Sequence, residues 1–345
     1  MSFATQEDVF AVIEKVLPET FSELSSYITD KGPFIRIPYK KAMLDYGSDK
    51  PDLRNPLLIK DATEVFQNTE FNAFKGKTVR VINVPNIADQ PRSFFDNMGD
   101  FAIKELGAKG LAWIKVNDDM TMSGPIAKFI DEESKNKLFE ITGSAAADCI
   151  FFIAEETKIA EKQAGAVRCE LGNRLDLLEK DTLRLCWITD FPMYELGENN
   201  KVDFGHNPFS MPQGGLEALN TKDPLEISAY QYDLVCNGYE IASGAVRNHD
   251  PEIMVKAFEI AGYSKDVVEN KFPALFNAFH YGAPPHAGAA PGIDRIVMIL
   301  SGETNIRQIV AFPKNGKALD LLMGAPSDVT KEQLREVHVK LDVKE

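Results

Sequence analysis

Two carboxylates and an arginine lie in one extended segment, residues 231–247. Asp233 and Glu240 are seven residues apart, and Arg247 follows Glu240 at the same interval. Alternate residues of a strand share a face, so a straight strand would place Asp233 and Glu240 on opposite faces. A bend or bulge at Gly238 would bring both carboxylates to one side, where they are suited to hold Mg²⁺. The alternative interpretation is a sheet edge that carries solvated charges.

Two guanidinium groups add the complementary charge. Arg247 offers a planar fork of donors that suits a carboxylate. Arg295 follows a glycine-containing turn with Gly288 and Gly292, and the apolar run 296–300 after it predicts a buried helix. Near the start of such a helix, the dipole and the guanidinium both favour a phosphate. A structural turn before a core helix is the alternative.

The remaining candidate is His206, in a turn close to Pro208, where it would bind a substrate anion or be an ordinary loop residue. The other four histidines show no metal-ligand spacing, and the four cysteines form no C-x-x-C pair, so a zinc site is not expected. The sequence contains neither a P-loop nor a dinucleotide-binding glycine motif, and it lacks the common hydrolase motifs.

The elements that would position these residues alternate in type. Helical spacing of apolar residues predicts a first helix that ends at Pro18, and residues 63–160 alternate strands with helices as a small α/β unit would. An amphipathic helix is predicted over 161–180, followed by long strands at 183–196, 231–247 and 286–292. Further helices are predicted to start at Asp250 and at Thr330, which both have capping chemistry. The predicted class is α+β, an antiparallel sheet flanked by helices with an inserted small α/β domain.

Composition sets limits on the function. The 345 residues are 44% hydrophobic and 26% charged, as in globular proteins, and no apolar run approaches the length of a membrane span. The N-terminus has no secretory signal pattern, and the cysteines are expected to be buried and reduced, so a cytoplasmic protein without a membrane partner is predicted. A net charge of −14 argues against general nucleic-acid binding but allows an enzyme that grips one end of an RNA.

Several motifs, which run in order along the whole chain, together resemble the bacterial aspartyl-tRNA synthetases, a family of class II aminoacyl-tRNA synthetases. The matching stretches are YGSDKPDLR at 46–54, GAKGLA at 107–112, DFPM at 190–193, HNPF at 206–209, NGYE at 237–240 with Arg247, YGAPPH at 281–286, GIDR at 292–295 and AFPK at 311–314. The resemblance implies that 1–62 begins the catalytic domain, that 63–160 is the inserted GAD-type domain, and that 161–345 completes the catalytic domain with motif 3.

The resemblance also implies residue roles. Arg295 is similar to the motif 3 arginine and, with Gly292, Ile293 and Asp294, would bind ATP; Arg295 and Glu240 would be catalytic. Asp233 and Glu240 match positions that serve Mg²⁺, with Glu240 also on ATP, whereas Arg247 and His206 match the residues that bind aspartate. Two departures stand out: Pro291 occupies a strand position where the family usually has a small or aromatic residue, and only Gly288 and Gly292 remain of the motif's glycines.

The implied reaction is ATP-dependent activation of aspartate followed by transfer to tRNA(Asp), with tRNA(Asn) left open as a second acceptor. The intact family enzyme is a homodimer. Because Met1 aligns just after motif 2, the anticodon-binding domain and motifs 1 and 2 are not found in this sequence, and the chain is expected to be weak or inactive alone. The alternative is a non-catalytic remnant that binds aspartate, ATP or a partner subunit. An amide-forming ligase related to the synthetase core is a third, less supported interpretation.

Overall fold

A computed structural model describes residues 1–197 and 199–342, and the chain divides into two compact units. The first unit is Met1–Pro291, and the second begins at Gly292. In chain order the elements of the first unit are α1 (Gln6–Leu24), β1 (Ile28–Thr29), β2 (Ile35–Pro38), α2 (Tyr39–Tyr46), β3 (Ile59–Asp61), β4 (Thr78–Val84), α3 (Arg92–Lys104), β5 (Ala112–Val116), β6 (Met122–Ser123), a 3₁₀ turn (Ala127–Phe129), α4 (Glu132–Thr142), β7 (Cys149–Glu155), α5 (Thr157–Arg174), β8 (Thr182–Leu183), β9 (Leu185–Thr189), β10 (Tyr194–Leu196), β11 (Val202–Phe204), α6 (Gly215–Thr221), a 3₁₀ turn (Pro224–Glu226), β12 (Gln231–Cys236), β13 (Tyr239–Arg247), α7 (Pro251–Ile260), α8 (Lys265–Lys271), α9 (Pro273–His280) and β14 (His286–Pro291).

The first sheet of this unit has the strand order β14-β13-β12-β9-β2. Its neighbours pair antiparallel except β2 and β9, which are parallel. The inner strands β9 and β12 are buried along their whole length, so both faces of the sheet must be covered. Helix α1 covers one face, and α2 packs on the other through a cluster that includes Ala42, Ile188 and Val235.

Helix α1 continues through Pro18, so the prediction that it ends there is wrong. A proline inside a helix removes one hydrogen bond. Here Pro18 is buried, and Phe10 of the same helix stacks on Trp187 at 4.0 Å and meets Tyr232 edge-on at 4.9 Å. Aromatic packing of this kind supplies stabilisation that offsets the missing bond. Helix capping, in contrast, is local: Thr5 and Asp8 form a capping box at its start.

The second sheet has the order β3-β4-β7-β5-β6 and is antiparallel throughout. One face packs on α3 and α5 through residues such as Phe95, Phe151 and Ala164, and the other packs on α4 through Leu138 and Phe152. Most of this sheet falls within 63–160, the range predicted as an inserted domain, although β3 precedes it. The boundaries of that domain stay a prediction.

The second unit contains α10 (Ile293–Leu300), a 3₁₀ turn (Ile306–Gln308) and α11 (Lys331–Glu336). Helix α10 follows Gly292, as predicted, but the prediction that it is buried is wrong, because only Ile296 and Met298 of this helix are buried. Helix α11 has the predicted capping box between Thr330 and Gln333. In the first unit Asp250 caps α7 through the backbone N–H groups of Glu252 and Ile253, also as predicted.

The α+β class predicted from the sequence is confirmed. The expectation that all four cysteines are buried is wrong, because Cys169 is exposed on α5 whereas Cys149, Cys186 and Cys236 are buried. Within the described residues, no helix combines the length and the apolar character that crossing a membrane requires.

Candidate functional site

The segment 231–247 is a β-hairpin and not one bent strand, which corrects the sequence-based interpretation. Strands β12 and β13 are joined by Asn237 and Gly238, with φ angles of 50° and 87°. Two residues with positive φ make the turn whose twist suits a hairpin, and Asn-Gly is its preferred pair. The Asn237 side chain fixes the turn, because its Oδ1 accepts from the Arg184 N–H at 2.9 Å and its Nδ2 donates to the Thr182 carbonyl at 2.9 Å.

The register of the hairpin brings the carboxylates to one face. Val235 pairs with Glu240, and Asp233 lies two residues before Val235 on the same strand. Cross-strand partners share a face, and so do alternate residues of a strand. Asp233 and Glu240 therefore lie on the same face, because the two-residue turn absorbs the odd interval between them.

A β-bulge brings Arg247 to that face as well. The register shifts between Leu234 and Val235, so that Asp233 pairs with Ser243. One extra residue on β13, Ile241, thereby separates Glu240 from the strand positions after it. Without the shift Arg247 would alternate to the opposite face from Glu240. With it, Ser243 and Arg247 share the face of both carboxylates.

Asp233 is the most perturbed acid of this face. It is 5% exposed, and its Oδ1 has no hydrogen-bond partner in the described part of the chain. Burial raises the pKa of Asp233 to about 6, and the negative charge of Glu240 acts in the same direction, whereas a hydrogen bond from Ser243 and the charge of Lys50 oppose the rise. A buried carboxylate oxygen without a donor is an open position for a cation.

Lys50 and Asp49 complete the charged cluster. The Lys50 Nζ lies 2.9 Å from Asp49 Oδ2 and 3.6 Å from Glu240 Oε2. Both residues belong to the stretch 46–54, one of the motifs on which the resemblance rests, but no role was predicted for either residue. Asp49, Lys50 and Asp52 are close together in this short turn, and their grouping could have predicted a charged cluster here.

His206 sits beside the same cluster, between two aromatic rings. Its ring centre is 4.9 Å from that of Phe191 and 5.9 Å from that of Tyr39. Burial lowers the pKa of His206, although the charges of Asp49 and Glu195 partly oppose this effect. His206 is therefore neutral at neutral pH, and it would act as a hydrogen-bond partner unless a bound anion raises its pKa.

The loop that carries His206 is tied to the hairpin. The Asn207 N–H donates to Gln231 Oε1 at 3.2 Å, and the Asn248 N–H donates to the Phe209 carbonyl at 2.8 Å. The Arg247 guanidinium lies 5.7 Å from the centre of the Phe209 ring, a cation–π contact. The structure thus anchors His206 and Arg247 through one loop.

A cleft of about 580 Å³ opens next to this cluster, within the first unit. Its lining includes Tyr39, Ser48 and Asp49 on one side and Lys158 and Glu195 on the other. Tyr39 borders both the cleft and His206. Asp49 of the charged cluster thus lines a cavity of the size that small-molecule sites use, whereas Asp233, Glu240, Arg247 and His206 are not among its lining residues.

The four residues predicted for ATP, namely Gly292, Ile293, Asp294 and Arg295, belong to the second unit. Gly292 precedes α10, and the other three form its first turn. Their part in an ATP site stays a prediction.

The donor set of the hairpin fits magnesium bound together with phosphates. Mg²⁺ usually takes one or two protein carboxylates and completes its octahedron with water and phosphate oxygens. Asp233 and Glu240 supply two carboxylates, and the Oδ1 of Asp233 is unsatisfied. No group of three or more His, Cys, Asp or Glu side chains is arranged around a metal position in residues 1–197 and 199–342.

Comparison with known proteins gives one family. A model described as class II tRNA synthetases (D, K and N) matches residues 1–316. An aspartate–tRNA ligase of Streptomyces avermitilis is 54% identical over 342 residues, which is 99% of this chain and 58% of that protein. An aspartate–tRNA(Asp/Asn) ligase of Ehrlichia chaffeensis is 55% identical over 350 residues, which is 100% of this chain and 59% of that protein.

Among solved structures, the asparaginyl-tRNA synthetase of Entamoeba histolytica in complex with asparaginyl-adenylate is 14% identical and aligns with a TM-score of 0.38, over 93% of this chain and 47% of that one. This likeness is too distant to support an argument. The chain thus spans less than three fifths of the length of the two curated relatives.

Proposed function

Since the chain belongs to the class II tRNA synthetases of the D, K and N type, we propose that it is the part of an aspartate–tRNA ligase that holds aspartate, ATP and Mg²⁺. The observation that carries the proposal is the bulged hairpin, which presents Asp233, Glu240 and Arg247 on one face. Two carboxylates for a cation and one guanidinium for a carboxylate are the complement of aspartate and a nucleotide with its metal.

Substrate selection is assigned to Arg247 with His206. The Arg247 fork would bind the side-chain carboxylate of aspartate, and an amide in its place would leave one cation without its partner. His206 is half-buried next to Tyr39 and neutral when the site is empty. The incoming carboxylate would favour its protonated form, which adds a second donor toward the same substrate group.

Activation requires the α-carboxylate of aspartate to attack the α-phosphorus of ATP as pyrophosphate leaves. Magnesium held by Asp233 and Glu240 would neutralise phosphate charge in this step. Lys50 near Glu240 opposes the rise in the pKa of Asp233 and adds positive charge to the same region. The guanidinium of Arg295 would bind the phosphate tail, with Gly292, Ile293 and Asp294 at the nucleotide.

Transfer of the aspartyl group to the terminal ribose of tRNA(Asp) completes the reaction, with tRNA(Asn) as the second acceptor to be tested. We place the enzyme in the cytoplasm, as a homodimer when intact.

Calorimetry with a non-hydrolysable aspartyl-adenylate analogue tests the binding proposal. The chain should bind the analogue in the presence of Mg²⁺, and Arg247→Ala should weaken binding by at least about thirtyfold, because a buried charge would lose its partner. Arg335→Ala, on α11 and outside the hairpin, serves as the matched control. Wild-type binding that Arg247→Ala leaves unchanged would contradict the role of Arg247.

Aspartate-dependent exchange between ATP and pyrophosphate tests catalysis. The chain covers 58–59% of its two relatives, so we expect weak or no exchange by the chain alone. Rapid exchange without any addition would refute that expectation. Binding of the analogue without exchange, not restored by the remaining part of a relative supplied in trans, would favour the non-catalytic binding protein.

A further inference from the structure

A second cavity, of about 320 Å³, lies at the end of the second sheet, separate from the hairpin. Its apolar wall is formed by the rings of Phe71, Phe74 and Phe152 together with Leu111. Phe74 and Phe152 are 3% and 1% exposed, whereas Phe71 is half-buried. The volume falls at the lower end of the roughly 300–1,000 Å³ that small-ligand sites occupy. The proposed ligase function does not use this cavity.

Two lysines share one carboxylate at the cavity. The Nζ atoms of Lys77 and Lys109 lie 3.4 Å and 3.3 Å from the same oxygen, Oε1 of Glu155. Lys77 also donates to the Ala154 carbonyl at 3.2 Å, which fixes its position. The Lys109 side chain is 84% exposed, so it can turn toward a ligand without losing buried contacts. Two ammonium groups against one carboxylate leave a net positive charge here, although the whole chain carries −14.

Gly110 leaves part of the cavity wall open. It lines the cavity and lies in the GAKGLA stretch, 107–112, which the resemblance included but to which no role was given. A Cβ added at Gly110 would meet no atom within 4 Å, and its φ is not in the left-handed region. Neither packing within the chain nor backbone conformation therefore requires glycine at this position. The missing side chain leaves room for a ligand next to the backbone at this point of the cavity wall.

We propose that this cavity binds a nucleoside monophosphate group, with its phosphate between Lys77 and Lys109 and its base and ribose along Phe71 and Leu111 beside Gly110. A phosphate group carries up to two negative charges on several acceptor oxygens, so it can pair with both ammonium groups in place of the Glu155 carboxylate that now contacts them. The aromatic and apolar side chains of the wall suit a base, which stacks on such side chains. A free nucleotide and an unpaired nucleotide of an RNA share this chemistry.

Photo-crosslinking shows where the nucleotide binds. The whole chain is irradiated with 8-azidoadenosine monophosphate, or with a single-stranded RNA pentamer that carries 4-thiouridine, and crosslinked peptides are identified by mass spectrometry. We expect crosslinks in 71–77 or 108–112. Crosslinks confined to 231–247, or none in the two cavity segments, would overturn the proposal. A pentamer that binds at least about tenfold more tightly than the monophosphate assigns the site to RNA, and equal affinities assign it to a free nucleotide.

Variants test the named contacts. The double variant Lys77→Gln/Lys109→Gln should weaken crosslinking at the cavity by about tenfold or more, since it removes two charge-assisted contacts. Gly110→Val should do the same at an unchanged melting temperature, because the chain leaves space for its side chain. The control is Lys104→Gln, an exposed lysine of α3 that pairs with Asp100 at 2.7 Å. An equal loss in the control, or normal crosslinking in Gly110→Val, would contradict the proposal.

One variant distinguishes a failure of this proposal from a failure of the proposed ligase function. Arg247→Ala should leave crosslinking at the cavity unchanged, since Arg247 belongs to the first sheet. Competition experiments test the phosphate contact. If an aromatic carboxylate displaces the monophosphate completely and inorganic phosphate has no effect, the assignment of the cavity to a nucleotide is overturned.

Discussion

Asp233 combines a function that needs its charge with a position that disfavours the charge. Its pKa rises from 3.8 to about 6 because it is buried, and its Oδ1 has no donor in the described chain. A group of this kind opposes folding once it ionises and becomes favourable when a cation binds. Perturbed acids with a specific charged neighbour, here Glu240, are concentrated at functional sites.

The first prediction concerns the stability of Asp233→Asn without metal. The unfolded carboxyl ionises near pH 3.8 and the folded one near 6, so the contribution of the neutral acid is complete below 3.8 and is lost as the pH rises through about 6. The amide stays neutral, and the variant should exceed wild type by about 2–3 kcal/mol at pH 8, with little difference at pH 4. Urea unfolding at both pH values in the presence of a chelator measures this. Asp96→Asn, an exposed acid on α3, should show no such pH-dependent gain.

A second prediction at this scale uses His206, whose pKa is lowered mainly by burial. The folded chain favours the neutral form of His206. The resulting contribution to stability is complete above the pKa of His206 in the unfolded chain, and it is lost as the pH falls through the lower pKa in the folded chain. His206→Gln should therefore lose less stability than wild type between pH 7 and pH 5. A pH series of urea unfolding compares the two, with His338→Gln, in the second unit, as the control.

At the scale of elements, β13 and β14 approach each other closely at one glycine. A Cβ on Gly244 would lie 2.2 Å from the Gly288 carbonyl oxygen and 2.5 Å from Cε2 of Tyr232. On the paired strand, a Cβ on Gly288 would meet nothing within 4 Å. Position 244 therefore has no room for a side chain, whereas position 288 on the paired strand has room for one.

Gly244→Ala should consequently destabilise the chain by about 1–3 kcal/mol, because the two strands must separate to admit a methyl group. Gly288→Ala is its matched partner and should stay within about 0.5 kcal/mol of wild type. Chemical denaturation of both variants decides the matter, and equal losses would show that the close approach at Gly244 is not limiting.

Elements also show what could be predicted from the sequence. The caps at Asp250 and Thr330 were predictable because a cap depends on residues two or three positions away. The Asn237-Gly238 pair is a strong hairpin signal, and the prediction of one strand over 231–247 does not use it. The bulge at Ile241 could not be foreseen, since the residue types along a hairpin do not specify where its register shifts. The helix through Pro18 was missed because packing on Trp187 and Tyr232 outweighs propensity.

At the scale of the whole molecule, Arg168 holds the loop that connects α2 to β3. It lies on α5 and is 1% exposed. Its guanidinium donates to the carbonyls of Leu57 at 2.5 Å, Asn55 at 2.7 Å and Asp52 at 3.1 Å. These carbonyls follow directly after Lys50, so α5 supports the loop that brings a cation to the carboxylates.

Arg168→Ala should lower the free energy of unfolding by about 3–5 kcal/mol, because three buried carbonyls would lose their donor. Arg92→Ala is the control, since that guanidinium is 90% exposed and pairs with Asp96 at 3.7 Å, a contact that contributes about 0–1 kcal/mol. Thermal and urea unfolding measure both variants. A loss below about 1 kcal/mol for Arg168→Ala would contradict a structural role for its hydrogen bonds.

Strands β2 and β9 are parallel neighbours, yet the entire second sheet lies between them in the sequence. The chain leaves the first sheet after β2 and returns beside its point of departure, where a Cβ on Gly47 would touch the Glu161 carbonyl oxygen of α5. An excursion with adjoining ends imposes little geometric demand on its host. We therefore expect the outer loops of this excursion to tolerate changes of length while the β12–β13 hairpin keeps its register.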